Sequence, residues 1–259
     1  MIAVNSRFQD RPGSKNADAM RVGLARALSK LGYCSRAQAE RLVREGKVRL
    51  NGSVSRNPET PVWMGRDRIE VEGRALRGAE RVYLVMNKPR GVVTTASDEK
   101  GRATVYSLLP SGMDWIAPVG RLDMASEGML LFTNDSAWAA KITDPESHLD
   151  KTYHVQIGRL ADDRMLETLR RGVETPPGEV LQCREVRVLR AGEKNCWLEI
   201  VLDEGKNRHI RRMMQGVGVE VLRLVRVAIG PVKLGELGKG KYRGLRDEEK
   251  LALDRKMQL

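Results

Sequence analysis

The sequence predicts an α+β chain in two parts, because two different patterns of apolar residues follow one another along it. Residues 20–76 begin with helical spacing and end in short strand-like runs. Residues 82–259 alternate strand-like and helix-like segments, so we expect a mixed, mostly antiparallel sheet flanked by helices. Residues 77–81 are charged and contain a glycine, which is typical of a linker. Residues 1–19 are polar and aperiodic, and we predict a disordered tail there.

The first part predicts two helices followed by a hairpin. Apolar residues recur at helical spacing up to Gly32, which ends the first helix. Ser35 begins the second helix, and Gln38, three residues later, completes a capping box. Asn51-Gly52 predicts a tight hairpin turn. The predicted strands on either side of this turn are 47–50 and 68–71.

In the second part, apolar and β-branched runs bounded by turn residues predict the strands, and amphipathic spacing predicts the helices. The predicted strands are 82–87, 92–95, 129–132, 153–157, 180–189, 196–202 and 219–229. The predicted helices are 104–109, 136–142, 162–171 and 207–215.

The charge balance predicts an anionic partner. Lys and Arg number 46 and Asp and Glu 34, a net charge of +12, and nucleic acid is the first candidate. A basic surface that is merely solvated is the alternative. Residues 21–81 hold 14 basic and 7 acidic residues, a net charge of +7 in under a quarter of the chain. A basic stripe of this kind neutralises phosphates, although an ordinary solvated helix face has the same pattern.

The scattered cysteines and histidines predict neither a disulfide framework nor a metal centre, because none has ligand spacing. We therefore expect no metal. No run approaches the ~18 apolar residues that cross a bilayer, and no apolar signal segment is visible. A reducing, cytoplasmic setting without membrane contact is the resulting expectation.

The layout of the first part resembles the RNA-binding domain shared with ribosomal small-subunit protein four. Two helices that meet at Ser35-Arg36, followed by Lys47-Val-Arg-Leu-Asn-Gly, carry this resemblance. It implies that this module docks on structured RNA. The candidate RNA contacts are Ser35, Arg36, Arg41, Arg44, Lys47 and Asn51.

Three further motifs point to chemistry on a nucleotide. Val119-Gly120-Arg121-Leu122-Asp123 is followed by Ser126-Glu127-Gly128 and by an apolar run that ends in Thr133-Asn134-Asp135. Lys151-Thr152-Tyr153 and the basic run 205–213 come later. In this order the motifs resemble the ribosomal RNA pseudouridine synthases of the RsuA/RluB family, over roughly residues 20–250. The resemblance implies the pseudouridine synthase fold and isomerisation of a uridine without a cofactor.

The same resemblance implies a role for each site residue. Asp123 corresponds to the essential nucleophilic carboxylate, Tyr153 to the tyrosine that stacks on the target base, and Arg211 to the basic partner of the aspartate. A carboxylate can add covalently to the sugar or remove a proton from it, and the sequence leaves both routes open. A structural turn at Asp123 and a core tyrosine at position 153 are the alternatives without a catalytic role.

Arg121 is a second candidate cation, placed to hold the phosphate of the flipped nucleotide. Lys206 and Arg208 are candidate RNA contacts, with a solvated helix face as the alternative. Ser126 stands where the family often has threonine, and His209 where glutamine is common. Asn207-Arg208 favours the large-subunit branch of the family over the small-subunit branch.

The expected partner is ribosomal RNA or a ribosomal subunit precursor, bound by a monomer. A non-catalytic RNA-binding assembly factor is the main alternative, and it would tolerate loss of Asp123. A DNA-binding regulator is less consistent with the sequence, which has no heptad seam for a dimer. A metal-dependent nuclease would need clustered carboxylates near Asp123, and the sequence has none there.

Overall fold

The computed structural model describes residues 21–259, so the predicted tail at 1–19 lies outside the described residues. The chain forms two compact units that interleave along the sequence. The first runs up to Tyr83 and also takes in 111–117 and 132–139. The second comprises 84–110, 118–131 and 140–259. Because the units interleave, they do not test the linear boundary predicted at residues 77–81.

Two short helices and six short strands make up residues 21–75. They are β1 (Arg21–Gly23), α1 (Leu24–Lys30), α2 (Arg36–Arg44), β2 (Val48–Leu50), β3 (Ser53–Ser55), β4 (Pro61–Trp63), β5 (Ile69–Val71) and β6 (Arg74–Ala75). Strand β1 pairs with β4, and the other four strands form a sheet in the order β3-β2-β5-β6. Leu24, Leu28, Ala39 and Val43 from the two helices pack on Val48 to form a small core.

The capping box and the tight turn predicted for this module are confirmed. The Ser35 side chain accepts a hydrogen bond from the Gln38 amide at 3.2 Å, and the Gln38 side chain accepts one from the Ser35 amide at 3.0 Å. Asn51 and Gly52 both have positive φ, at 50° and 84°. A two-residue hairpin turn of type I′ requires this conformation at both positions, and it joins β2 to β3. The return strand is therefore Ser53–Ser55 and not the predicted 68–71, because the turn reverses the chain at once; Ile69–Val71 pairs with the other edge of β2.

The remaining residues form a large sheet with helices. Its elements are β7 (Tyr83–Lys88), β8 (Ala117–Val119), β9 (Glu127–Thr133), α3 (Ser136–Thr143), β10 (Lys151–Ile157), α4 (Asp163–Arg171), β11 (Val173–Thr175), β12 (Glu179–Leu181), β13 (Glu185–Ala191), β14 (Cys196–Leu202), α5 (His209–Gly216), β15 (Val221–Ile229), β16 (Val232–Lys233), β17 (Tyr242–Gly244) and α6 (Asp247–Lys256). Two 3-10 turns, Val105–Leu108 and Pro145–Ser147, complete the set.

The nine-stranded sheet is mixed and mostly antiparallel, as predicted. Its order is β13-β14-β10-β15-β9-β7-β17, with β16 on β15 and β8 on β9, while β11 and β12 pair with each other in a separate two-stranded sheet. Strands β15 and β9 run parallel. Gly128, in β9, has φ +104, and a Cβ at this position would collide with the backbone of Arg226 in β15. This glycine therefore permits the close approach that brings the two strands together at the centre of the sheet.

A hydrophobic core lies between the sheet and helices α4 and α5. Val155, Leu198 and Ile200 of the sheet pack with Leu169 of α4 and Met213 of α5, and all five are fully buried. The amphipathic spacing that predicted both helices is thus explained, because their apolar stripes cover one face of the sheet. The same packing fixes the N-terminal end of α5, which follows Lys206 and Arg208 of the basic run.

One predicted strand is wrong and one predicted helix differs in type. Residues 92–95 form no strand beyond an isolated bridge between Val93 and Thr104. The reason is a side chain, since the Thr94 hydroxyl donates to the Leu122 carbonyl at 2.8 Å and ties this segment to a loop. The predicted helix at 104–109 is the 3-10 turn Val105–Leu108.

Candidate active site

A cavity of about 220 Å³ lies where the loop between β8 and β9 meets β10, β15 and the start of α5. It is partly polar and partly apolar. Its polar lining residues are Arg121, Asp123, Ser126, Thr143, Lys151, Tyr153, Lys206, Arg208, His209 and Arg226. The predicted residues Asp123, Tyr153, Arg121, Lys206 and Arg208, which are far apart in the sequence, are thus brought to one cavity.

Asp123 lies in the loop that joins β8 to β9. Its backbone carbonyl accepts a hydrogen bond from the Ser126 amide at 2.9 Å, which closes a turn. Its side chain is one-third exposed, at 33%, so the carboxylate lies at the mouth of the cavity. Asp123 is the one acid among the described residues that line the cavity.

The backbone of this loop is held from beneath by Lys88, at the end of β7. Lys88 is completely buried, and its ammonium donates to the carbonyls of Pro89, Asp123 and Ser126 at 3.0, 3.1 and 2.9 Å. Burial lowers the pKa of Lys88 to about 8, and the carboxylates of Asp123 and Glu127 oppose this shift. Lys88 was not among the predicted site residues. The available signal was a lysine at the end of an otherwise buried apolar strand, where an unpaired charge is costly.

The cation that contacts Asp123 is Arg208, whose Nη1 lies 3.6 Å from Oδ2 of Asp123. Arg211 was expected to make this contact. Instead it donates to the carbonyls of Ala125 and Val221, at 3.2 and 3.3 Å. Burial lowers the pKa of Arg211 most, Arg208 lowers it further, and the carboxylate of Asp123 opposes the shift. The difference has a geometric reason: Arg208 precedes α5 at the cavity mouth, whereas Arg211 lies within the helix and fastens the loop backbone.

Tyr153 forms part of the cavity wall from β10. It is partly buried and packs against the core beneath α4 and α5. In the sheet its register partners are Ile200 on one side and Arg226 on the other. A core role and a base-stacking role for Tyr153 are therefore compatible, because this residue both borders the core and lines the cavity.

Lys206 and His209, in the basic run, also have partners within the protein. Lys206 lies 2.9 Å from Glu204 and 3.5 Å from Glu179, and the hydrogen bond with Glu204 is the main cause that raises its pKa. His209 is buried, with Nε2 2.9 Å from the Gln182 carbonyl, and burial is the main cause that lowers its pKa. The charge of Lys206 is thus already compensated in part.

A wider, open groove of about 520 Å³ adjoins the cavity and shares Asp123 and Arg208 with it. It is lined by residues 93–100 and by Arg102 and Arg121. Arg102 is fixed by Asp98, and this hydrogen bond holds the pKa of the aspartate at about 2. This loop was not predicted as part of the site, because residues 92–95 have the side chains of a strand.

In the N-terminal module the predicted RNA contacts divide into two groups. The Ser35 side chain caps α2. The Asn51 side chain donates a hydrogen bond to the Asp67 carboxylate at 3.1 Å and accepts one from the Arg68 amide at 2.9 Å. Both are therefore engaged in the fold itself. The basic residues are solvent-exposed. Their exposed side-chain fractions are 61% for Arg36, 72% for Arg41, 68% for Arg44 and 45% for Lys47.

Within residues 21–259, no group of three or more His, Cys, Asp or Glu side chains is placed to hold a metal ion. The three cysteines are free and buried. Over the same residues, no helix has the length and apolar character needed to span a membrane.

Comparison with known proteins agrees with this architecture. The family model for RNA pseudouridylate synthases matches residues 82–216, and the S4 domain model matches 22–66. An RNA pseudouridine synthase of Aquifex aeolicus, described as uncharacterized, is 36% identical over 231 residues, which cover 89% of this chain and 92% of that protein. Ribosomal large subunit pseudouridine synthase B of Bacillus subtilis is 34% identical over 87% of this chain and 93% of its own.

A crystal structure of a pseudouridylate synthase superposes with a TM-score of 0.63 at 27% identity. The superposition covers 90% of this chain and 99% of that one. An S4 domain joined to a synthase domain, with relatives of the same layout along nearly their whole length, places this chain in the RsuA/RluB family of RNA pseudouridine synthases.

Proposed function

We propose that this enzyme converts one uridine of large-subunit ribosomal RNA to pseudouridine, with Asp123 as its essential carboxylate and without a cofactor. In this isomerisation the bond between the sugar C1′ and the uracil N1 breaks, the base turns, and C1′ bonds to C5. The C5 proton is lost and N1 gains one. Atoms and electrons balance between substrate and product, so the overall reaction needs no redox partner and no energy source.

The observation that carries the proposal is the position of Asp123. It is the one acid among the described residues lining a cavity that also presents an aromatic ring and several cations. When the base leaves with the electron pair of its bond, C1′ becomes electron-deficient. A carboxylate at the cavity mouth can relieve this by adding to C1′ or by taking a proton from C2′. The Arg208 guanidinium, 3.6 Å from this carboxylate, places a positive charge beside it at the cavity mouth.

The cavity suits a nucleotide taken out of its stack. The ring of Tyr153 offers a surface on which a planar base can stack. Arg121 and Arg208 also line the adjoining groove, where cations are suited to hold phosphates on either side of the extruded nucleotide. The exposed arginines of α2 can contact RNA phosphates, which adds affinity for structured RNA that does not depend on its sequence.

Two observations favour the large subunit as the source of the target. The Bacillus subtilis and Haemophilus influenzae relatives are named ribosomal large subunit pseudouridine synthase B. Asn207-Arg208 is the form that favours the large-subunit branch. The enzyme would act in the cytoplasm as a monomer, since RNA itself supplies the large binding surface.

The test is release of tritium from unmodified rRNA labelled at uracil carbon five. Large-subunit and small-subunit rRNA are assayed separately, each as naked RNA and as precursor subunits. We expect release from the large-subunit RNA, with a plateau of one tritium per molecule. Release from the small-subunit RNA alone would contradict the assignment to the large subunit. No release from any of the four substrates would favour a non-catalytic assembly factor.

A further inference from the structure

Two hydrogen-bond donors in the cavity wall have no acceptor within the described part of the chain. They are Nη2 of Arg226, on β15, and the hydroxyl of Ser126, in the loop before β9. Both residues line the cavity, and their exposed fractions are only 6% and 1%. A buried donor without an acceptor is destabilising, and most such groups in folded proteins are paired. Less than 1 Å² of either atom is exposed, so a ligand that supplies the acceptors would meet them after a small shift of the cavity wall around them.

The Arg226 side chain is held in a fixed orientation. Its Nε donates to the carbonyl of Met129 at 2.7 Å, so one edge of the guanidinium is anchored to β9 while Nη2 remains unpaired. Its register partner across the sheet is Tyr153, whose side chain also lines the cavity. An anchored donor beside an aromatic ring is an arrangement that recognises a planar base with a carbonyl group on its edge.

The surroundings also favour negative charge. Lys151 lines the same cavity, and its pKa is lowered mainly by burial and further by the charge of Arg226. A ligand that carries or develops negative charge would reduce the electrostatic repulsion between these two cations.

We propose that Arg226 and Ser126 form the uracil-recognition subsite, in which Nη2 of Arg226 and the Ser126 hydroxyl donate to carbonyl oxygens of the flipped base. The inference rests on the proposed function. It adds two positions that specify uracil and act on the base, whereas Asp123 acts on the sugar.

The chemistry of the base explains why such donors would serve the whole reaction. A half turn of uracil about the line through N3 and C6 exchanges N1 with C5, and at the same time it exchanges O2 with O4. A donor that meets one carbonyl before the turn therefore meets the other carbonyl after it. Between these states the base carries the electron pair of the broken bond, with its negative charge spread onto both oxygens. A guanidinium donor stabilises that anion more than the neutral base.

The same donors would select against cytosine. Cytosine presents an amino group where uracil has O4, so a donor of the protein would face a donor of the base. Sites that hydrogen-bond a substrate group reject analogues lacking that group strongly, because the buried protein group is left unpaired.

The experiment uses a short RNA with the mapped target uridine, labelled at carbon five, and the same RNA with 4-thiouridine at that position. Sulfur is a weaker acceptor than oxygen, so the wild type should prefer uridine by about tenfold in kcat/KM, as expected for a weakened hydrogen bond. Arg226→Met should lower kcat/KM on uridine by at least about tenfold and remove most of the preference, leaving only the share that Ser126 supplies. A merely structural role would lower both rates equally, and an unchanged preference would overturn the proposal.

Two further variants make the test independent of folding defects. Arg243→Met removes another partly buried arginine, which pairs with Glu249 outside the cavity, and it should keep the full preference for uridine. Ser126→Ala removes no hydrogen bond of the folded chain, so its stability should match the wild type. It should lose part of the preference. If Arg226→Met does not fold, an unchanged preference in Ser126→Ala overturns the proposal. A wild type that releases no tritium refutes the proposed function, whereas an active wild type with unaltered preferences in the variants refutes only this subsite.

Discussion

Arg208 and Asp123 form an ion pair across the cavity mouth, with 3.6 Å between Nη1 and Oδ2. Arg208 occupies the left-handed region at φ +49, immediately before α5. This conformation is uncommon for a residue with a long side chain, and at functional sites such strain is retained because it aims a side chain. The pair thus depends on backbone shape as well as on charge.

Replacement of Arg208 tests this pair. Arg208→Asn keeps a residue that tolerates the left-handed conformation and removes the charge. Because the arginine is half exposed, the pair is worth about 1 kcal/mol, so kcat/KM should fall by about fivefold. Tritium release gives this ratio, and the deficit should shrink as salt is added, since screening weakens the wild-type pair. An Asn variant as fast as the wild type at every salt concentration would remove Arg208 from the site.

Tyr153 is expected to act through its ring. Tyr153→Phe keeps the ring and should retain most activity, whereas Tyr153→Leu keeps an apolar side chain but loses stacking. Stacking of a base on an aromatic ring is worth about 1–3 kcal/mol, so the Leu variant should lose roughly tenfold to hundredfold in kcat/KM. Thermal unfolding of both variants provides the control for the core contacts of this residue. Equal activity of Phe and Leu variants would argue for a core role alone.

Lys88 should give the folded protein a specific pH dependence. Its pKa is about 8 in the fold and 10.5 ordinarily, because burial disfavours the charge. Between these values the unfolded chain still holds the proton that the folded protein has released. Stability conferred by Lys88 therefore rises with pH across this window, by at most about 3 kcal/mol.

The measurement compares urea unfolding of the wild type and Lys88→Met at pH of about 7 and about 9.5. At neutral pH the variant should be less stable by about 1–3 kcal/mol, because buried carbonyls lose their donor. The gap should widen at the higher pH. A gap that narrows as pH rises would show that the fold raises the pKa of Lys88 instead of lowering it, so burial would not be the dominant influence on this ammonium.

The exposed arginines of α2 should contribute to RNA affinity through phosphates. Arg36→Ala combined with Arg41→Ala should weaken binding and flatten its salt dependence by about 1.5 in the slope of log K against log salt. Arg164→Ala combined with Arg171→Ala, on α4, removes the same charge from another helix and serves as the control. Equal slopes for wild type and the α2 variant would place the phosphate contacts elsewhere.

The sequence predicted the elements whose signals are local. The capping box at Ser35 and the hairpin at Asn51-Gly52 each depend on a few adjacent residues, and both are confirmed. Amphipathic spacing likewise predicted α4, because one face of that helix meets the core.

Features that depend on contacts between residues far apart in the chain could not be predicted from short sequence patterns. Residues 92–95 have strand-forming side chains, but Thr94 bonds the backbone of Leu122, far along the chain. The role of Lys88 depends on the three carbonyls that surround its ammonium in the folded chain. Strand β17 and helix α6 were not predicted, since their sequences are short or mostly charged. Five predicted residues, Asp123, Tyr153, Arg121, Lys206 and Arg208, line the candidate cavity, whereas the contact of Asp123 with Arg208 instead of Arg211 follows only from the geometry.

The central claim is that Asp123 is the essential carboxylate of uridine isomerisation. Asp123→Asn preserves the size of the side chain and removes only its charge, so RNA affinity should stay close to that of the wild type. The decisive measurement is tritium release from unmodified large-subunit rRNA by wild type and Asp123→Asn, side by side, with RNA affinity measured for both. We expect release by the wild type and none by the variant at equal affinity. Substantial release by Asp123→Asn would contradict it.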